Sequence, residues 1–212
     1  MKPILVLFAT REGQTRRIAE HVAELIRMRG REAHALDVGS LPAPPPEVGS
    51  YAAAVLASSV HAGEHEREMV RFVKTHRGEL ERMPAAFISV SLTEAGAEDP
   101  ARTSAQRAEA SIKVGQMIQK FFDDTGWHPS HVKPVAGALL YTQYGRVLRF
   151  IIKRIVSHQG GPTDTTDTTR DHEYTDWPSL ARFVDEFMCS TLTPGSRPSR
   201  ISREAEPARR DR

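Results

Sequence analysis

The chain has 212 residues, of which 39% are hydrophobic and 26% are charged, as expected for a soluble globular protein with one hydrophobic core. The formal net charge of +2 gives no overall basic excess, so we expect no nucleic-acid partner. The single cysteine, Cys189, excludes an intramolecular disulfide and a cysteine-based metal or redox pair, and no apolar run is long enough to span a membrane as a helix. These features predict a cytoplasmic protein without a metal site.

Apolar runs of strand length alternate with helical patterns along the chain. We predict strands at about residues 3–9, 33–38, 51–59, 85–91 and 132–140, and helices at about 14–29, 66–77, 103–125 and 178–190. Residues 60–65 are predicted to be a loop, and residues 92–100 show no clear element. The alternation predicts an α/β protein with a doubly wound, five-stranded parallel sheet of order 2-1-3-4-5, which is the flavodoxin-like winding.

The segment between the first strand and the first helix has the composition of a phosphate-binding turn. It reads Thr10-Arg11-Glu12-Gly13-Gln14-Thr15. A helix N-terminus offers free N–H groups and a partial positive charge, the threonines add hydroxyl donors, and Gly13 lets the backbone approach closely. The turn has no lysine and no ATP, GTP or dinucleotide motif, so it best suits the phosphate of flavin mononucleotide (FMN). The alternative is that threonine and glycine only cap the helix.

The predicted sheet brings three loops to one edge. Ligands of doubly wound sheets bind beyond the carboxyl ends of the strands, where the strand order reverses. The loops that follow Ala9, Ser58 and Val90 should therefore surround a single site.

Residues 141–175, between the last strand and the last helix, form an insertion far longer than a usual connection. Its segment 146–156 has the pattern of an amphipathic helix with four cations on one side, namely Arg146, Arg149, Lys153 and Arg154. Such a helix docks its apolar face on the sheet, lies on a membrane surface or binds a large apolar anion. The chain thus divides into one domain at 1–190 and a basic tail at 191–212, which we expect to be disordered because it has almost no apolar residues.

With these segments in place, the chain resembles the flavodoxin-fold, quinone-dependent protoporphyrinogen IX dehydrogenases of bacterial haem synthesis. The resemblance covers about residues 2–188, and its motifs are residues 10–15, 83–90 and 136–139 and, most specifically, Gly160-Gly161-Pro162-Thr163-Asp164 and Tyr174-Thr175-Asp176-Trp177. It implies FMN-dependent oxidation of protoporphyrinogen IX to protoporphyrin IX. It also implies that electrons pass to a membrane quinone and that the protein works peripherally at the inner face of the cell membrane.

The resemblance also implies roles for individual residues. The FMN phosphate would be held by Thr10, Arg11, Glu12, Gly13, Gln14 and Thr15. The ring and ribityl chain would lie between two further groups, Ser59, Val60 and His61 on one side and Ser91, Leu92 and Thr93 on the other. The cations Arg146, Arg149, Lys153 and Arg154 would pair with substrate carboxylates or lipid phosphates. No general base is assigned; His61 ranks ahead of His158 and His172, and a merely solvated loop histidine is the alternative.

Other functions remain open at this point. The loop at 60–63 is less basic and less aromatic than expected for the family, and the loop at 92–100 contains Glu94, Glu98 and Asp99. The chain could instead be a flavodoxin-type electron carrier, another FMN reductase that uses NAD(P)H or a quinone, or a domain that has lost its cofactor. The helix at 103–125 suits either a homodimer interface or packing on the core.

Overall fold

The computed structural model describes residues 1–139 and 172–192, and its centre is a parallel β-sheet. The strands of this sheet are β1 (Ile4–Ala9), β2 (Ala33–Asp37), β3 (Ala53–His61), β5 (Ala85–Ser91) and β6 (His131–Ala136). They lie in the order β2-β1-β3-β5-β6, and each neighbouring pair is parallel. A short strand, β4 (Glu64–His65), pairs antiparallel with the end of β3. With this hairpin set aside, the predicted α/β class and strand order are confirmed.

Helices cover both faces of the sheet. They are α1 (Gln14–Met28), α2 (Arg67–Leu80), α3 (Leu92–Glu98), α4 (Ser104–Thr125) and α5 (Trp177–Leu192). Helices α1 and α5 pack on one face, whereas α2 and α4 pack on the other. This arrangement leaves the carboxyl ends of the strands as the open edge at which a ligand can bind.

Strand β1 shows why the sheet needs cover on both faces. All of its residues are buried. Ile4 and Val6 belong to the core under α1 and α5, whereas Leu5 and Leu7 belong to the core under α2 and α4. Because successive side chains of a strand point to opposite faces, a continuous apolar run is stable only between two helical layers.

Helix α4 begins and ends close to the predicted bounds. The Thr103 hydroxyl accepts a hydrogen bond from the Gln106 N–H at 3.2 Å, and the Gln106 side chain accepts one from the Thr103 N–H at 3.0 Å. This reciprocal pair is a capping box. At the other end Gly126, with φ +67°, stops the helix in the left-handed conformation.

The prediction of a loop at residues 60–65 is wrong. Strand β3 continues to His61, and the chain turns back into β4 through Ala62 and Gly63. Both turn residues have positive φ, 51° and 83° respectively. A two-residue hairpin turn requires this conformation because its twist then matches the twist of the strands.

The prediction of no regular element at residues 92–100 is also wrong, because the chain forms α3 there. Ser91, the last residue of β5, caps this helix. Its hydroxyl oxygen accepts a hydrogen bond from the Glu94 N–H at 3.1 Å. The helix is short and contains Gly96, so its sequence carries little helical periodicity.

The fifth parallel strand ends at Ala136, before the predicted bound of 140, because the chain leaves the sheet at Gly137. The N–H of Gly137 donates to the Ser91 carbonyl oxygen at 3.0 Å. The next residues form β7 (Ala138–Leu139), which pairs antiparallel with β8 (His172–Glu173). The two ends of the insertion therefore lie side by side.

The remainder of the insertion, residues 140–171, lies outside the described residues. The predicted basic helix with Arg146, Arg149, Lys153 and Arg154 falls there, as does His158. The predicted tail from residue 193 onward also lies outside them. Within the described ranges, no helix is both long and apolar enough to cross a membrane.

Candidate functional site

The turn between β1 and α1 has the geometry of an anion cradle. Gly13 adopts φ +90°, and its N–H donates to the Thr10 hydroxyl oxygen at 3.0 Å. No described side chain caps the start of α1. Thr15, in the first turn of α1, is only 1% exposed. A threonine hydroxyl and uncapped N–H groups at a helix N-terminus together fit a phosphate group.

A buried carboxylate joins the first and second predicted loops. Glu66, at the N-cap of α2, is 4% exposed. Its Oε2 accepts a hydrogen bond from Arg11 Nε at 3.1 Å, and its Oε1 accepts one from the Ser59 hydroxyl at 3.0 Å. His61 Nε2 lies 3.4 Å from the same Oε1, and His61 Nδ1 lies 3.9 Å from Glu12 Oε1. Sequence analysis missed Glu66; the only available signal was an acidic residue directly before a helix.

Replacing Glu66 by alanine should lower the free energy of unfolding by about 1–3 kcal/mol, because the hydroxyl of Ser59 and the guanidinium of Arg11 lose their buried acceptor. Urea unfolding of the flavin-free protein measures this change. Glu66→Gln is the matched control, since an amide oxygen still accepts from Ser59. An alanine variant as stable as the parent would mean that the carboxylate does not hold the two loops together.

The side chain of Gln14 faces the insertion. Its Nε2 donates to Glu173 Oε1 at 3.0 Å and to the Thr175 hydroxyl at 2.9 Å. Arg17 Nη1 adds a contact of 3.3 Å to Glu173 Oε2, and the Thr175 hydroxyl donates to the Ala136 carbonyl oxygen at 2.8 Å. The returning end of the insertion is therefore fixed to the start of α1. Because the Gln14 side chain makes these hydrogen bonds, only the backbone N–H of Gln14 is available to bind a phosphate.

The third predicted loop lies beside the second. Ser59 pairs with Val90 in the register of β3 and β5, which places Ser91 at the same edge of the sheet. Leu92 and Thr93 form the first turn of α3, and Thr93 is buried. The predicted residues after β1, β3 and β5 are thus brought to one crevice, with Val60 held in the hairpin opposite His65.

His172 lies in β8, near the Tyr174 ring at a centroid distance of 6.2 Å.

Acidic side chains on α3 are shielded from solvent beside this crevice. Burial raises the pKa of Glu94 to about 7, with a further upward contribution from Glu98 that Lys133 opposes. Burial and the charge of Asp176 likewise raise the pKa of Glu98. At neutral pH Glu94 is therefore partly protonated, so this side of the crevice carries less negative charge than its sequence indicates.

The hairpin contains a buried histidine, His65 of β4. His65 Nε2 lies 2.9 Å from the Ser89 hydroxyl, and the ring packs beside the stacked pair of Phe87 and Phe121, with centroid distances of 5.2 and 5.0 Å. Burial lowers the pKa of His65 to about 4, so the ring is neutral under ordinary conditions.

Comparison with known proteins gives the family of this chain. A family model described as a flavodoxin domain matches residues 5–166. Protoporphyrinogen IX dehydrogenase (quinone) of Escherichia coli strain K12 is 34% identical over 190 residues, which cover 90% of this chain and 97% of that protein. This chain belongs to the quinone-dependent protoporphyrinogen IX dehydrogenase family. A relative with the same name from Leishmania major is 29% identical over 92% of this chain and 78% of its own length.

Solved structures bear on the fold alone. A short-chain flavodoxin associated with a PDU bacterial microcompartment superposes with a TM-score of 0.50 at 10% identity, covering 90% of this chain and 99% of its own. Together with the family match, this confirms the flavodoxin-like fold. The chain is therefore an oxidoreductase of the quinone-dependent protoporphyrinogen IX dehydrogenase family on a flavodoxin-like fold.

Proposed function

We propose that this protein binds FMN and oxidises protoporphyrinogen IX to protoporphyrin IX with a membrane quinone as the electron acceptor. Family membership supports the reaction, and the cradle between β1 and α1 is the observation that supports the cofactor. When bound, FMN supplies two-electron transfer between the organic donor and the quinone. Each such step removes two electrons and two protons from the porphyrinogen and converts one quinone to a quinol.

The residues of the cradle would hold the phosphate of FMN. The Thr15 hydroxyl and the N–H groups of residues 11, 12, 14 and 15 would supply donors, and Gly13, whose N–H donates to Thr10, fixes the turn around them. Ser59, Val60 and His61 would flank the ring or ribityl chain on one side, with Ser91, Leu92 and Thr93 on the other.

Among the described residues of the crevice, His61 is the side chain best placed to accept a proton from the substrate. Its ring is 28% exposed and lies between two carboxylates, Glu66 at 3.4 Å and Glu12 at 3.9 Å. A carboxylate beside one ring nitrogen orients the imidazole and compensates the positive charge that it gains with a proton. We propose that His61 Nδ1 takes up a proton released by the substrate, with Glu66, which contacts Nε2, as the positioning residue.

The insertion would contribute to substrate or membrane binding. Its two ends are anchored beside the cradle by the β7–β8 pair and by the contact of Gln14 with Glu173. The cations Arg146, Arg149, Lys153 and Arg154 would then pair with substrate carboxylates or lipid phosphates near the site. Such contacts would place the protein peripherally on the inner face of the cell membrane, and sedimentation with anionic vesicles tests this location.

Steady-state oxidation of protoporphyrinogen IX under anaerobic conditions tests the proposed function. We expect the FMN-loaded protein to generate protoporphyrin fluorescence only when a water-soluble quinone is present, and the flavin-free protein to be inactive. NAD(P)H with the same quinone provides the comparison. Rapid NAD(P)H oxidation without porphyrinogen oxidation would contradict the proposal and assign the protein to another class of FMN reductase.

A further inference from the structure

Two adjoining cavities run along α4 beside the β3–β4 hairpin. One, of about 400 Å³, is bounded by Ala62, Gly63 and Thr93. The other, of about 470 Å³, lies where β4, α2 and α4 meet. Met117 and Lys120 of α4 line both cavities, so the two are neighbours along this helix, and we name them together the α4 groove.

The near end of the α4 groove meets the segments that flank the ring position in the proposed function. Ala62 and Gly63 form the tip of the hairpin, and Thr93 lies in the first turn of α3. None of these residues is aromatic, and a Cβ added to Gly63 would have no neighbour within 4 Å. The hairpin tip therefore leaves an open space beside the proposed ring instead of covering it. A substrate that exchanges electrons with the ring must lie in contact with it.

The lining of the α4 groove matches an apolar anion. The apolar side chains among its lining residues are Val70, Met117 and Phe121. Four cations border it, namely Arg67, Arg71, Lys113 and Lys120, against the two acidic residues Glu64 and Asp124. An apolar body with carboxylates at its edge is complementary to this distribution.

The cations differ in how far they are already paired. Lys120 contacts Asp124 at 2.9 Å and Glu64 at 3.6 Å, so its charge is compensated. Lys113 contacts Glu109, which lies outside the groove lining, at 2.8 Å. Arg71 lies 3.9 Å from Glu68, whereas the guanidinium of Arg67 has no ion pair with any residue in the described ranges. Arg67 is thus the cation most available to a ligand carboxylate.

We propose that the α4 groove binds the tetrapyrrole substrate, with its reacting edge at the hairpin tip and a propionate at Arg67. This assignment rests on the proposed function, because the reaction supplies a large apolar dicarboxylate that must contact the ring. A phospholipid also has an apolar body and an anionic end. The tetrapyrrole is the better occupant because the groove opens at the crevice of the sheet, where electrons are exchanged.

Two variants test the groove without touching the cradle. Met117→Trp places a large ring in the centre of the groove, and Arg67→Gln removes the free cation. The matched controls are Ile112→Trp, at a position on α4 that is 61% exposed, and Lys74→Gln, at an exposed cation of α2 outside the lining.

The measurement is the dissociation constant of protoporphyrin IX for the FMN-loaded protein, from porphyrin fluorescence, beside the dissociation constant of FMN. We expect Met117→Trp to weaken porphyrin binding roughly tenfold, as overpacking of a filled site does, and Arg67→Gln to weaken it roughly threefold, as loss of an exposed ion pair does. Both controls and the affinity for FMN should stay at the parent values.

The possible results distinguish a failure of the groove proposal from a failure of the proposed enzymatic function. If neither Met117→Trp nor Arg67→Gln weakens porphyrin binding, the groove is not the substrate site, even if the parent protein oxidises protoporphyrinogen. Porphyrin binding that responds to both variants supports the groove, even if the parent protein shows no turnover and the proposed function fails. A parent protein that binds anionic vesicles through Arg67 but does not bind porphyrin would assign the groove to lipid and overturn the proposal.

Discussion

Replacing Gly13 by alanine should weaken FMN binding roughly tenfold, because a side chain at a left-handed backbone position costs about 1–2 kcal/mol. Gly13 has φ +90°, and an added Cβ would meet no atom within 4 Å. The loss therefore comes from the backbone conformation rather than from a steric clash. Since this conformation forms the cradle, the variant should bind FMN only by adopting the strained turn. Fluorescence titration of flavin-free protein with FMN measures the effect.

Gly30 provides the control for this prediction. It follows the end of α1 with φ +78°, and a Cβ there would also meet no atom within 4 Å. Gly30→Ala should lose about 1–2 kcal/mol of unfolding free energy and leave FMN affinity unchanged, because the strain is similar but lies at the far end of the helix. Equal FMN affinities for Gly13→Ala and Gly30→Ala would show that the turn between β1 and α1 is not the phosphate site.

The second large effect is a dependence of stability on pH that comes from His65. Its pKa is lowered from 6.5 to about 4 by burial. Between these values the unfolded chain binds a proton at this ring and the folded chain does not, so protonation favours unfolding. The stability contributed by the neutral ring is fully present above pH 6.5 and is lost as the pH falls toward 4. Between about pH 7 and about pH 5 the free energy of unfolding should fall by about 2 kcal/mol because of His65.

His65→Gln should remove this component, because an amide can still hydrogen-bond to the Ser89 hydroxyl and does not titrate. We expect the difference in unfolding free energy between parent and variant to change by about 2 kcal/mol over that pH range, measured by urea unfolding of the flavin-free proteins. His128→Gln, which removes an exposed histidine, is the matched control. Parallel pH profiles for the parent and His65→Gln would show that the ring is charged or solvated in the folded protein. The raised pKa of Glu94 does not affect the comparison, since all three proteins retain it.

The sequence predicted the sheet well because its strands are buried on both faces. The run at 85–91 matches β5 at both ends, and every residue of that strand is buried. A mostly apolar run of strand length has few other stable placements in a protein of this size. The same reasoning placed the turn between β1 and α1, our proposed phosphate site, since it follows directly from where β1 ends and α1 begins.

The missed elements are short and depend on contacts made elsewhere. Strand β4 has two residues and exists only through its pairing with β3. Helix α3 has seven residues, a length that is not stable in isolation, and packs against α4 and β6. Neither gives a periodic pattern that sequence analysis can detect.

The side-chain contacts of the site also could not be predicted from the local sequence pattern, because they join residues that are far apart in the chain. Glu66 meets Arg11 across 55 positions, and Gln14 meets Glu173 across 159. Which polar residues become partners is decided by how the loops approach each other at the edge of the sheet. The residues predicted to bind the cofactor therefore lie at one edge of the sheet and their role stays a prediction, whereas the buried carboxylate among them was visible only in the structure.

The most direct test of the central claim is anaerobic mixing of the FMN-loaded protein with protoporphyrinogen IX, followed by addition of a quinone, with the flavin absorbance recorded throughout. We predict that the porphyrinogen bleaches the flavin and that the quinone restores its absorbance while protoporphyrin fluorescence appears. A protein that holds FMN whose absorbance does not respond to the porphyrinogen would contradict the account.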